Sequence, residues 1–395
     1  MHRVIAICAG VALGLGPQRA VAQESGPSVQ IHGFVSQGYV KTTKNNYLGP
    51  SARRQGNFEL SEVGINFTTQ LTDRLRAGVQ LFAHDLGPLG NYAPQVDWYY
   101  LDYRFFDWLG LRVGRTKLPW GLYNEANDVD AGRVPILLPQ SIYPVTSREI
   151  LFAQTGAELY GDVRIGAAGS LEYRAYGGTI YVNTADASPQ LRGFEVPYDF
   201  GGRLMWSPPV QGLRLGASLQ AARFDLDYEP TADEAAAYQA AGLLPAGYAG
   251  NVSIALPVQL WVASVEYQAQ DLLLAAELAR EYANYKTTLL APEVRTTIEG
   301  FYVMGSYQVR PWFTPGLYYS VLLPNIEQPI RKRSTYQHDV AMTLRYDLTP
   351  NWLVKLEGHY MHGTAALTSA LNGNQPLDDL SKNWGVFLLK TTGYF

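Results

Sequence analysis

The stretch from Val63 to Ala83 constrains this chain most, because apolar and polar residues alternate with period two along two arms joined by a tight turn. In the first arm Val63, Ile65, Phe67, Thr69 and Leu71 alternate with Glu62, Gly64, Asn66, Thr68 and Gln70. After Thr72-Asp73 the second arm sets Leu75, Ala77, Val79, Leu81 and Ala83 against Arg74, Arg76, Gly78 and Gln80. A helix would repeat every 3.6 residues, so this is a β-hairpin with one apolar and one polar face. Arms of about 10 residues, recurring to a final Phe395, have the length that a tilted strand needs to cross a bilayer. A strand of a soluble secreted β-protein alternates in the same way, and periodicity alone leaves that alternative open.

The N-terminus carries a second, independent signal. Basic His2-Arg3, an apolar run from Val4 to Leu15 and the small-residue site Ala20-Val21-Ala22 before Gln23 read as a secretory signal peptide, with cleavage expected after Ala22. Cys8 lies too near the start for a lipid-modified cysteine. The expected organisation is a signal peptide over 1–22 and a single membrane domain over 23–395. Cleavage would remove the only cysteine, and with it any disulfide, thiol nucleophile or cysteine-bound metal. It would also remove Arg3 and Arg19, making the mature chain about two charges more negative than the −4 of the whole sequence, which speaks against a nucleic-acid surface. After residue 22 no run approaches the roughly 18 to 20 apolar residues of a spanning helix. The 27 Tyr, 14 Phe, 8 Trp and 38 Gly instead supply interface aromatics and turn formers. Because lipid offers no partner to backbone N–H and C=O groups, such a chain can cross only as a closed barrel.

Short turns are expected at Thr72-Asp73, Phe106 to Gly110, Asp162 to Gly166, Pro208 to Gly212, Gln268 to Asp271, Arg310 to Trp312 and Leu348 to Asn351. With the two chain termini they give sixteen strands, or about 23 residues per strand and its share of loop, although 14 or 18 strands stay open. Later strands repeat the pattern: Leu213, Leu215, Ala217 and Leu219 alternate with Arg214, Gly216, Ser218 and Gln220. Energy fixes which face is which, since an arginine on the lipid face near mid-membrane costs roughly 2 to 4 kcal/mol. Arg214 and Arg345 must therefore point into the lumen. The same face carries Glu62, Asn66, Gln80, Asp102, Arg104, Arg174, Arg203, Gln220, Glu277 and Lys390, which predicts a water-filled channel, sixteen strands enclosing a space too wide for wall side chains to fill.

Two long connections stand apart. Between Pro230 and Gly242, Thr231 and Glu234 have capping-box spacing before an Ala-rich run, which predicts a short helix in the fifth outer loop. From Lys117 to Leu151 the chain holds Pro119, Pro135, Pro139 and Pro144, which cannot sit inside a strand ladder. A loop of this length is ordinarily functional.

At these residues the chain resembles the Gram-negative outer-membrane porins. Leu111-Arg112-Val113-Gly114-Arg115-Thr116-Lys117 introduces the longest outer loop, the third, and Gly114-Arg115 is similar to the Gly-Arg that opens the constriction loop of that family. Lys117 to Glu125 is similar to a loop start found among porin-like proteins, and Phe387, Leu389 and the terminal Phe395 share one face, as in substrates of the outer-membrane assembly machinery. Gly393 departs from the pattern, because the third residue from the end is usually large and apolar. The resemblance implies an all-β, transmembrane antiparallel β-barrel of about 16 strands with an inward-folded third outer loop, located in the bacterial outer membrane. It also implies passive diffusion of small hydrophilic solutes and ions, contacts with outer-membrane lipids and the assembly machinery, a homotrimer, and no cofactor.

In that family the inward loop sets carboxylates against wall arginines. Here Glu125, Asp128 and Asp130 would form one side and Arg76, Arg112 and Arg115 the other, with Lys117 and Arg133 completing the constriction. Opposed charges in a narrow, low-dielectric cleft focus the field and select solutes by charge. Any one of these charges could equally be a solvated loop residue. Arg115 shares parity with lipid-facing Leu111 and Val113, so it reaches the lumen only if a bulge or the strand end reorients it. Arg104 lies near enough to a short turn to sit at the periplasmic mouth, while Glu62, Gln80, Asp102, Arg203 and Arg214 line the wall. A substrate-selective, anion-binding porin is the alternative channel. An enzymatic barrel needs a hydroxyl or carboxyl nucleophile beside a histidine, yet His32, His84, His338, His359 and His362 are dispersed, and neither it nor an adhesive barrel draws support from a motif. His359 and His362, three residues apart, fall on opposite strand faces and so cannot share a metal.

Overall fold

The computed structural model describes residues 28–87, 89–182, 190–245, 247–248, 250–289 and 293–395. The expected signal peptide, with Cys8, lies outside the described residues. Sixteen strands follow one another: β1 Val29–Thr42, β2 Leu60–Gln70, β3 Leu75–Leu86, β4 Gln95–Phe106, β5 Leu109–Lys117, β6 Ala153–Arg164, β7 Ser170–Thr179 and β8 Leu191–Ser207. The second half comprises β9 Leu213–Tyr228, β10 Val252–Ala269, β11 Leu272–Thr287, β12 Val294–Tyr307, β13 Phe313–Leu323, β14 Gln337–Thr349, β15 Trp352–Gly363 and β16 Asn383–Tyr394. Each pairs antiparallel with its chain neighbours, and β1 pairs with β16 from Phe34↔Tyr394 to Thr42↔Val386, closing the barrel. Closure leaves no open edge, which is what lipid demands of a sheet.

All seven expected short turns are present at one end of the barrel. The third lies later than the spacing predicts, because Val163 and Arg164 stay paired with Leu171 and Ser170. The chain reverses only where Gly166 and Gly169 adopt φ of 54° and 96°, a region that favours glycine. At the opposite end the fifth outer loop carries the expected helix, Ala232–Ala240, whose capping box is complete: Glu234 N–H donates to Thr231 Oγ1 (3.3 Å) and Thr231 N–H donates to the Glu234 carboxylate (2.8 Å).

The alternation sorts as energy requires over the lower two-thirds of the wall. Val63, Leu101, Leu204, Val265, Leu317, Met342 and Leu389 are exposed on the outer surface, while Gln80, Asp102, Arg203, Gln220, Glu277 and Lys390 are buried inside. In the outer halves of β8 to β12 the polarity changes sides, which a single period-two rule does not anticipate. Inward-facing Val196, Phe224, Leu260, Val262 and Ala279 form a core with Leu118, Trp120, Leu138, Ile142 and Tyr143 of the third outer loop. Arg223 instead pairs with Asp225 (2.7 Å) and Arg280 with Glu299 (2.5 Å) on the outer surface, Arg280 lying opposite exposed Trp261 in the ladder. These strands are 14 to 18 residues long, beyond the roughly 9 to 11 that span hydrocarbon. Their outer ends meet water outside and the loop inside, so the hydrophobic effect now favours apolar residues on the inner face. Side chains of the wall do not fill the lumen; the loop occupies part of it.

Candidate constriction site

The third outer loop, 118–152, leaves β5 and returns to β6, and its ends close on each other through Leu118 N–H donating to Phe152 C=O (2.8 Å). Prolines deny this segment a ladder of its own, so its buried N–H groups need partners from the wall. Gly121 N–H donates to Ser218 Oγ on β9 (3.1 Å) and Leu122 N–H to Glu277 on β11 (2.8 Å). Ile136 and Leu137 N–H donate to the two oxygens of Glu357 on β15 (2.6 and 2.9 Å). Ser141 Oγ donates to Phe301 C=O on β12 (3.2 Å) and accepts from Ser320 on β13 (2.8 Å). A segment anchored at β5 and bonded to β9, β11, β12, β13 and β15 crosses the lumen.

Three loop carboxylates lie against the wall, each taken by a cation. Glu125 bridges Arg174 (2.8 Å) and Arg203 (3.0 Å). Asp128 accepts from Lys117 (2.5 Å) and Gln80 (2.9 Å). Asp130 is fully enclosed and accepts from Lys355 (2.9 Å) and Thr392 (2.7 Å), with Lys390 at 3.6 Å and Arg133 at 4.0 Å. Burial pushes the Asp130 carboxyl up, but the Lys355, Lys390 and Arg133 charges outweigh it and hold it well below the usual carboxylate range. Asp128 is lowered in the same way, burial being overcome by Lys117 and Arg148.

The other sequence-predicted residues separate into three groups. On the wall, Glu62 accepts from Lys390 (2.5 Å), Asp102 accepts from Arg112 (3.2 Å) and Tyr160 (2.6 Å), Arg203 also pairs with Glu172 (2.8 Å), and Arg214 pairs with Glu266 (2.6 Å). Arg104 sits at the short-turn end beside Asp107 (3.5 Å), as its position predicts. Arg115 and Arg133 do not face an opening. β5 continues through Gly114, at φ 133°, to Lys117 with no register shift, and the buried Arg115 guanidinium is spent on the Asp97 and Tyr181 carbonyls (2.8 and 3.4 Å), while Arg133 donates to Ile136 C=O (2.6 Å) inside the loop. Glu125, Asp128 and Asp130, expected to stand on the side facing Arg76, Arg112 and Arg115, form their ion pairs with Arg174, Arg203, Lys117, Lys355 and Lys390.

Lys355 and Glu357 of β15 anchor the loop and, like Asp339 of β14, do not figure among the residues expected from the sequence, where His359 enters only as a base or metal ligand. Both ring nitrogens of buried His359 are engaged, Nδ1 with Asp339 (3.0 Å) and Nε2 with Glu357 (3.0 Å), while His362 lies on the other face with Asn383 (2.5 Å). The signal was available: Lys355, Glu357 and His359 alternate with Val354, Leu356 and Tyr360, a polar face opposite an apolar one.

Below the loop, along β1 to β5, a cavity of about 310 Å³ remains open, lined by His32, Arg76, Trp98, Tyr100, Arg112 and Lys117 among others. A closed sixteen-stranded barrel whose third outer loop crosses the lumen above a polar cavity is the geometry to compare with known proteins. The profile of the Gram-negative porin family matches residues 8–366. The chain belongs to that family. Porins of similar fold include OmpF of Salmonella typhi, solved with daunomycin (12% identity, TM-score 0.58, covering 94% of this chain and 98% of that one). An anion-selective porin from Comamonas acidovorans matches similarly (12% identity, TM-score 0.57, 93% and 100%). So does OmpT, an outer-membrane protein of Vibrio cholerae (11% identity, TM-score 0.58, 94% and 99%), which is also known in a trimer form. An uncharacterized protein of Aquifex aeolicus is 26% identical over 169 residues, 41% of this chain; the match spans about a third of that relative, 35% of its length. This porin is therefore an outer-membrane channel.

Proposed function

We propose that this porin passes small hydrophilic solutes and ions down their gradients without catalysis, through the passage left beside the loop 118–152. The observation that carries this reading is the loop's attachment to the far wall, which narrows the lumen while leaving a polar cavity on the β1 to β5 side. We take Arg76, Arg112, Lys117 and Glu125 as the residues that border the passage, and Asp128, Asp130 and Arg133 as those that hold the loop in place. Commitment of both His359 nitrogens to carboxylates leaves that histidine no free base for hydrolysis. The trimer form of the Vibrio cholerae relative supports a homotrimer here, and family membership supports contacts with outer-membrane lipids and the assembly machinery as part of the same proposal.

Removing Asn127 to Ile142 in a planar bilayer should raise single-channel conductance severalfold, since a barrel of this size without an obstruction leaves a far wider pore. Unchanged conductance would mean that solutes do not pass the loop. Anion selectivity is the second reading, favoured by Arg76, which has no ion-pair partner among the described residues; reversal potential in a salt gradient distinguishes it.

A further inference from the structure

The charges around the cavity below the loop are not balanced. Glu125 is turned to Arg174 and Arg203. Asp102 lies opposite Arg76 in the β3–β4 ladder, yet its oxygens are taken by Arg112 and the Tyr160 hydroxyl. Lys117 is held by Asp128. Arg76 therefore stands exposed in the lumen with no hydrogen bond or ion pair among the described residues. Its neighbour His32 has none either.

The same stretch of wall, on the neighbouring strand β4, is aromatic. Trp98 and Tyr100 are stacked with centroids 5.5 Å apart and planes 15° from parallel. Both lie flat on the barrel wall over Gly78: a Cβ there would come within 2.8 Å of Tyr100 and 3.1 Å of Trp98, so only glycine leaves the rings this low. The Arg112 guanidinium sits 5.0 Å from the Tyr100 ring and 5.2 Å from that of Tyr160, which continues the aromatic strip toward the periplasmic mouth. A small hydrated ion gains nothing from such a strip. A flat apolar body carrying one negative charge gains from both parts, through stacking on the rings and a charge-assisted bond to the free guanidinium.

We propose that this cavity is a binding subsite for planar monocarboxylates, an aromatic carboxylate being the simplest, with the carboxylate on Arg76 and the ring on Trp98 and Tyr100. The proposal rests on the channel reading above and names a solute class for it.

The test is single-channel recording of the full-length porin in potassium chloride, with benzoate, acetate and benzyl alcohol added in turn. Benzoate should interrupt the current in a concentration-dependent way, acetate should do so only at concentrations about tenfold higher, and benzyl alcohol should have no effect. Arg76→Gln should weaken benzoate block about tenfold while Arg76→Lys keeps part of it, and Trp98→Leu should weaken benzoate about threefold to tenfold with acetate unchanged. Absence of any conductance in potassium chloride would overturn the channel reading itself. Conductance with no benzoate block, or equal block in Arg76→Gln, would overturn the subsite alone.

Discussion

Glu277 is one of the wall residues that hold the 35-residue loop inside the barrel. Its carboxylate accepts Leu122 N–H (2.8 Å), the Tyr302 hydroxyl (2.7 Å), the Ser264 hydroxyl (2.5 Å) and the Tyr143 hydroxyl, so four donors from loop and wall converge on two oxygens. Glu277→Gln would turn an amide N–H toward those donors and strand at least one of them, at a cost of about 1 to 3 kcal/mol. Noisier single-channel current and a lower unfolding midpoint are expected, and an unchanged current trace would show that the loop does not depend on this bond. Asp130 gives a prediction in pH. A carboxyl whose folded value is depressed stabilises the fold fully above its unfolded value, about 4, and loses that contribution only as pH falls through the depressed value. The Asp130 bonds to Lys355 and Thr392 should therefore persist as pH drops from neutrality through 4, so Asp130→Asn should raise conductance relative to the wild-type chain by the same factor at pH 7 and at pH 4. A ratio that falls toward one between pH 5 and 4 would contradict this.

Among elements, β16 carries the seam. Phe395 N–H donates to Gly33 C=O (3.0 Å) and its own carbonyl accepts Gly33 N–H (3.1 Å), while its ring lies where a Cβ on Gly33 would come within 2.7 Å. Deleting Phe395 removes the last two closing bonds and the ring that covers the glycine, so outer-membrane levels should fall severalfold by immunoblot. Gly393, the departure from the family pattern, has room: a Cβ there would meet nothing nearer than the Asn351 carbonyl at 4.0 Å. Gly393→Phe should fold unchanged and raise assembly yield, and a loss of yield would count against reading this strand as the assembly signal. Strands such as β2, β3 and β16 were legible from residues because alternation is local and its sign follows from the cost of charge in lipid. Pairing of the loop was not legible. Asp130 meets Lys355 across 225 positions of sequence, and nothing near Asp130 distinguishes Lys355 from Arg76 as its partner. The inversion in β8 to β12 was hidden for a related reason: parity says which residues share a face, not whether that face meets lipid, water or another part of the chain.

At the scale of the whole molecule the barrel has no soluble state to fall back on. Its outer surface exposes Val63, Leu101, Leu204, Leu317, Met342 and Trp352, apolar side chains that lipid, detergent or a neighbouring copy must cover. The mature protein should be extracted only by detergent and show β-rich circular dichroism; a folded monomer recovered from the periplasm would refute the barrel in the membrane. The polarity inversion also has a mechanical consequence. Ion pairs Arg223–Asp225 and Arg280–Glu299 on the outer surface act as a waterline, because sinking below them would drag charge into hydrocarbon. β8 to β11 are 16 to 18 residues long and continue above that line, while β4 to β6 have only 9 to 12. At about 3.3 Å per residue and a tilted course, that difference raises one side of the rim on the order of 10 Å over the other. The mouth is cut on a slant, like a quill, and a solute arriving from outside meets a parapet on one side and a low sill on the other, the sill beginning at β4, next to the strand that carries Arg76.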